Sequence, residues 1–294
     1  MSSKALRKGY VVAGVLSTLA AVGYAGLLTV LYMGQERLIF PASPLPPDFQ
    51  FHFDQRFEEI RVPVAGGSLD AVLFRQASPR GLVFFLHGNR GDINTWTTGL
   101  DFYRRINYDL FILDYRGYGK STGRIESEEQ LHADVRAAWD AIEPRYRGQP
   151  IVIYGRSLGT GLAAALARDV QPTLLVLVSP FANLAAAAKR RYPLAPEFLL
   201  KYPLRTDAVI GDVKSPVLLV AGSQDRLTPL ADSLHLQALT RAPVELLVVE
   251  GAGHTDIHRY SDYLDGLAAR MIRAADEPPQ GQSAAASARS HPPL

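Results

Sequence analysis

The stretch Ile151-Val152-Ile153-Tyr154-Gly155-Arg156-Ser157-Leu158-Gly159-Thr160-Gly161 constrains the fold more than any other part of the chain. A short β-branched run, suited to a buried strand, ends in Gly-x-Ser-x-Gly and passes directly into an alanine-rich helical stretch, residues 162–168. Strand, sharp turn and helix in that order are what a nucleophile elbow requires. Glycines two residues before and after Ser157 let the strand and helix backbones pass closely. Ser157 Oγ is then presented above the carboxyl edge of a sheet. A close crossing of small residues with an incidental serine is the plainer alternative.

The rest of the chain alternates in the same way. Residues 57–64 and 69–75 read as a leading antiparallel pair turning at Gly66-Gly67. Runs at 82–86, 110–114, 151–154, 174–179, 217–221 and 246–249 read as short buried strands. Helical patterns at 95–106, 128–142, 158–169, 231–239 and 256–274 lie between them. Strands alternating with helices predict an α/β fold: a mostly parallel, eight-stranded sheet covered by helices on both faces. Residues 181–215 break the rhythm with two Tyr-Pro-Leu triplets (from Tyr192 and Tyr202) and the basic cluster Lys189-Arg190-Arg191. Their place after the sixth strand predicts a small lid insertion.

No residue from Gly9 to Gln35 is charged, a span of 27 residues. Crossing a hydrocarbon core takes about 20 helical residues. Tyr10 and Tyr32 sit near the two ends, where interfacial aromatics belong. Lys4, Arg7 and Lys8 precede the span, so the positive-inside bias places residues 1–8 in the cytoplasm and the rest of the chain across the membrane. A cleaved signal peptide is the rival, with Gly23-Tyr24-Ala25 as a weak cleavage site. Cutting there would leave residues 26–33 as an exposed apolar terminus, and the uncleaved anchor is preferred. Residues 36–53 form a proline-rich connector expected to hold the domain a short distance from the bilayer. The hydrolytic domain is expected over 54–275, and the Pro-, Ser- and Ala-rich residues 276–294 as a disordered tail.

The formal charge of +2 misleads: Lys4, Arg7 and Lys8 are three of the 31 basic residues, leaving 28 against 29 acidic ones. No basic stripe interleaved with aromatics is present, which argues against a nucleic-acid partner. The absence of cysteine excludes disulfides, thiolate metal sites and a cysteine nucleophile. No metal-ligand cluster or cofactor motif is evident, and the oligomeric state is not encoded in any pattern.

A serine hydroxyl is a poor nucleophile at neutral pH and needs a base, with an acid to orient that base. Asp225 follows the run 217–221 in the turn Gly222-Ser223-Gln224-Asp225 and suits the acid; an Asx-turn or helix-capping role is the alternative. His254 follows 246–249 in a glycine-rich loop and suits the base. His52, His132, His235 and His291 fall in linker, helix or tail, and His258 is the near competitor. Two donors must also meet the developing oxyanion. The Leu158 amide, next after the nucleophile, is one expectation, and a backbone amide near Asn89, in the loop after 82–86, is the other. His87 is read as bracing that loop.

Residues 61–274 resemble the α/β-hydrolase superfamily. Within it they look like the membrane-anchored, depalmitoylase-like serine hydrolases with a His-Gly-Asn-x-Gly oxyanion loop. The resemblance rests on His87-Gly88-Asn89-Arg90-Gly91-Asp92, Asp114-Tyr115-Arg116-Gly117-Tyr118-Gly119-Lys120-Ser121, Gly155-Arg156-Ser157-Leu158-Gly159 and Gly253-His254-Thr255-Asp256, four motifs in the proper order. It implies the triad Ser157, Asp225 and His254, a structural role for the 114–121 loop, and hydrolysis of esters or thioesters of acyl lipids or acylated molecules, without a cofactor. Residues 181–205 match no particular acyl pocket. A serine peptidase or amidase, and an inactive membrane-tethered binding protein on a hydrolase frame, are the competing functions.

Overall fold

The computed structural model describes residues 3–276, with side chains from Arg7 onward. The expected tail at 277–294 lies outside the described residues. Helix α1 (Ser3–Ile39) precedes the antiparallel pair β1 (Phe57–Val64) and β2 (Gly67–Phe74). Then come β3 (Leu82–Leu86), α2 (Ile93–Trp96), α3 (Leu100–Arg105), β4 (Asp109–Leu113) and α4 (Glu128–Ile142). The second half holds β5 (Ile151–Arg156), α5 (Gly159–Val170), β6 (Leu174–Val178), α6 (Leu184–Arg191) and α7 (Thr206–Val209). It ends with β7 (Val217–Gly222), α8 (Leu230–Leu239), β8 (Val244–Val249) and α9 (Ser261–Asp276).

The strands form one eight-stranded sheet in the order β1-β2-β4-β3-β5-β6-β7-β8. Only the β1–β2 and β2–β4 pairings are antiparallel. Each inner strand is apolar throughout because both its faces are covered. Its side chains still alternate between two cores. Leu82, Phe84 and Leu86 of β3 join the core under α4 and α5. Val83 and Phe85 join the core that contains Tyr263, Leu267 and Met271 of α9. In α4, Leu131, Val135, Ala138, Trp139 and Ile142 form one buried stripe at helical spacing. Ser127 caps its start by accepting from the Gln130 amide at 3.1 Å.

Three expectations are corrected. The single helix at 95–106 is two, α2 and α3, parted at residues 97–99, where Gly99 disfavours a continuous turn. The last helix begins at Ser261, after a 3₁₀ turn at Ile257–Arg259. Residues after α1 do not act as a free spacer: Phe40 is buried, and the Leu45 amide donates to the Gly119 carbonyl at 2.7 Å. The buried ring and the docked peptide hold the domain directly against the end of α1. That helix, solvent-exposed along its apolar length, is long and apolar enough to cross a membrane.

Candidate active site

Parallel registers align the carboxyl ends of four strands at one edge. Leu86 of β3 pairs with Gly155 of β5, and Arg156 of β5 with Val178 of β6. Gly222 of β7 pairs with Val249 of β8. The loops leaving these ends carry Asn89, Ser157, Asp225 and His254, and loops at this edge are where open α/β sheets bind their ligands.

The elbow is as tight as its glycines suggest. A Cβ on Gly159 would fall 2.1 Å from the Leu86 carbonyl oxygen, and one on Gly155 would fall 2.6 Å from the Gly159 carbonyl oxygen. Ser157 itself adopts φ +50°, left-handed and unfavourable for a residue with a side chain. Backbone strain of this kind costs of order 1–3 kcal/mol and persists only where the surroundings impose it. Here the Ser157 amide is tied to the Val178 carbonyl at 2.9 Å, and the Thr160 amide to the Ser157 carbonyl at 2.9 Å.

The structure brings Ser157, His254 and Asp225 together. Ser157 Oγ lies 2.9 Å from His254 Nε2, and His254 Nδ1 lies 2.8 Å from Asp225 Oδ2. Asp225 also accepts from the Leu227 and Thr228 amides, both at 2.9 Å, and from the Thr228 hydroxyl at 2.7 Å. The Asx-type turn and the bond to the imidazole therefore coexist in one carboxylate. Burial pushes the Asp225 pKa up, but the His254 and Thr228 hydrogen bonds outweigh it and hold the group below 3.8. With the acid ionised, Nδ1–H of His254 is fixed toward Asp225, which leaves Nε2 as the acceptor facing Ser157.

Two supports were not read from the sequence. Thr228, besides its bond to Asp225, lies 3.2 Å from His254 Nδ1. Arg156 Nη2 donates to the His254 carbonyl. The Asp225–Thr228 spacing of a side-chain-capped turn was a signal for the first; nothing local marks the second. His258, the competing histidine, is exposed on the 3₁₀ turn. Burial, then Arg156 and Arg259, lower its pKa.

The loop after β3 is held from beneath. His87 is fully buried against the rings of Trp96, Tyr115 and Tyr118, with Nδ1 donating to the Gly88 carbonyl at 2.6 Å. The Tyr115 hydroxyl donates to the His87 carbonyl at 2.9 Å and the Tyr118 hydroxyl to the Asn89 carbonyl at 2.8 Å. The Asn89 side-chain amide donates to the Ile39 carbonyl at 2.9 Å. Among the described residues, the backbone N–H groups of Asn89 and Leu158 have no hydrogen-bond acceptor. Among them, too, no group of His, Asp and Glu is arranged to hold a metal ion.

The sheet order, with the elbow at the carboxyl end of β5, defines the class: this chain is an α/β-hydrolase. More narrowly, it belongs to the family of α/β hydrolase domain-containing protein 17. It is 35% identical over 208 residues to the 17B protein of Xenopus tropicalis, covering 68% of this chain and 70% of the relative. To the human 17B protein it is 34% identical over the same shares. Residues 77–206 match the family model for serine aminopeptidase (S33), and residues 201–284 that for TAP-like protein. Among solved structures, an esterase of Pyrococcus furiosus aligns with TM-score 0.63 and 17% identity, over 79% of this chain and 97% of that one. A monoacylglycerol lipase of Paleococcus ferrophilus aligns with TM-score 0.57 and 17% identity, over 70% and 99%. At such identities the structural likeness speaks for the fold.

Proposed function

We propose that the protein is a membrane-anchored serine hydrolase that cleaves carboxylic ester or thioester bonds of acylated molecules through an acyl-enzyme on Ser157. The observation that carries this reading is the unbroken line of hydrogen bonds from Ser157 through His254 to Asp225. His254 Nε2 takes the Ser157 proton as Oγ bonds to the acyl carbon, then gives it to the departing alkoxide or thiolate. Water, activated by the same nitrogen, attacks the acyl-enzyme and releases the acid. The amides of Leu158 and Asn89 are assigned to the oxyanion; losing one such donor typically lowers turnover about 10²- to 10³-fold.

α1 is assigned as the anchor, with its basic N-terminus in the cytoplasm and the hydrolytic domain on the other side, on the charge bias of Lys4, Arg7 and Lys8. The names of the relatives' neighbours, an esterase and a lipase, favour oxygen or sulfur esters. The serine aminopeptidase family model favours a second reading, amide hydrolysis. A fluorophosphonate probe tests the nucleophile: the wild type is labelled and Ser157→Ala is not. Equal labelling of the two would sink the assignment. Acyl p-nitrophenyl esters of increasing length, run beside amino-acid p-nitroanilides, separate esterase from amidase.

A further inference from the structure

The segment that follows α6 carries apolar side chains where a water-facing loop would not. Leu194 is 75% and Phe198 84% exposed, and Tyr192 is exposed beside them. This segment runs along α1. The Tyr24 hydroxyl donates to the Leu194 carbonyl at 2.7 Å. Farther up the helix, the Gln35 side-chain amide donates to the Leu199 carbonyl at 3.1 Å, and the Lys201 amide donates to Gln35 Oε1 at 2.8 Å. Lys201 Nζ then reaches Glu36 at 2.9 Å, where the first acid after the uncharged span stands. Tyr24 lies inside that span, about 16 Å of helix below Gln35.

The backbone here is provisioned for an apolar setting, in which each unmet polar group costs several kcal/mol. Pro193 and Pro196 have no N–H to satisfy. The amides of Tyr192, Ala195, Leu199 and Leu200 bond within the segment or to α6, while Tyr24 and Gln35 serve two of its carbonyls. Between it and α1 lies a cleft of about 100 Å³ whose walls include Leu31, Leu38, Ala188, Leu199 and Leu200. Lys189, Arg191 and Glu197 are exposed around these apolar tips, suited to a headgroup layer. Counting about 20 residues from Gly9 ends the hydrocarbon near Leu28, which puts Leu194, level with Tyr24, about 6 Å inside it. Interfacial elements sink to about 5–10 Å.

We propose that residues 192–200 form an interfacial surface that enters the lipid bilayer beside α1, so that the lid and the anchor are one membrane-embedded unit. The partner is the bilayer itself, headgroups against the charged rim and acyl chains against Leu194, Phe198 and the cleft. This inference rests on the anchor reading above. Its consequence for the site runs through α6, whose Arg190 reaches Asp232 at 2.9 Å and the Leu227 carbonyl at 3.3 Å, beside the loop that carries Asp225.

The natural chain has no cysteine, so single-cysteine variants can be labelled uniquely with an environment-sensitive fluorophore. Phe198→Cys, Val15→Cys and Leu234→Cys are made in the full chain, labelled, and reconstituted into phosphatidylcholine vesicles containing doxyl-labelled lipid. The expected result is loss of fluorescence to the doxyl lipid at 198 as at 15, with shielding from aqueous iodide. Leu234, half exposed on α8, gives the opposite pattern. Lipid quenching at 15 with iodide quenching at 198 equal to that at 234 overturns the proposal and leaves the anchor standing. Absence of lipid quenching at 15 overturns both.

Discussion

Arg156 Nη2 donates to the carbonyl oxygen of His254 at 2.7 Å, joining residues 98 positions apart. The side chain between the first glycine and the serine of the elbow thus grips the loop that carries the imidazole. Misplacing a catalytic group by about 1 Å can cost about 100-fold. Arg156→Met is expected to lower kcat by about 10- to 100-fold with little change in KM for a soluble p-nitrophenyl ester. A variant that kept wild-type kcat would show that the histidine loop holds its place unaided.

Thr228 supplies both a backbone and a hydroxyl donor to Asp225. Thr228→Val keeps the shape and removes the hydroxyl, and a carboxylate that loses a donor protonates more readily. The Asp225 pKa should rise back toward 3.8. The acid-side loss of kcat then moves to higher pH, read from a pH–rate profile below about pH 5.

Asp225 also makes stability depend on acid. Its folded pKa lies below the ordinary 3.8. It therefore contributes stability that is present above 3.8 and lost as pH falls through the folded value. Asp225→Asn removes the titration. Denaturant unfolding at neutral pH and at about pH 3 should show a smaller acid-induced loss for the variant; equal losses count against the carboxylate.

Gly159→Ala tests the elbow's crossing. Its new Cβ would meet the Leu86 carbonyl oxygen at 2.1 Å, and backbone cannot swing aside as a side chain can. Overpacking typically costs about 1–3 kcal/mol, so Tm should fall and labelling of Ser157 should fall with it. A Tm equal to wild type would mean that α5 shifts freely over β3.

Arg116 and Asp134 form a buried two-point ion pair, at 2.5 and 2.7 Å. Breaking such a pair from one side typically costs about 3–5 kcal/mol, whereas an apolar replacement of both partners is often neutral. Asp134→Ala should be markedly destabilised in urea, and Arg116→Met with Asp134→Leu much less so. If the double variant is the weaker one, the pair itself is a net source of stability.

Much of the fold was legible because its elements are locally specified. The runs 57–64, 82–86 and 128–142 became β1, β3 and α4 without change of boundary. Continuous apolar strands and a capped amphipathic helix carry their own signals. The helix expected at 95–106 failed where Gly99 intervenes, a local weakness that the periodicity masked. The 36–53 connector was misjudged for a different reason. Proline content shows that a helix stops but not what Phe40 then packs against, and here Phe40 meets Tyr202 with ring centroids 4.9 Å apart.

What the sequence by itself determined is chemistry in order: an elbow serine after one strand, an acid after a later one, a histidine after the next, and an uncharged span at the start. Local covalent geometry and side-chain period are enough for that. Only the tertiary structure decided that Ser157 and His254, 97 residues apart, come within 2.9 Å. It also decided that Arg156 and Thr228 hold the histidine loop and its acid, and that residues 192–202 lie along α1. Those contacts depend on strand register and on how helices pack across the sheet, which are sums over the whole chain and leave no mark in any single stretch of it.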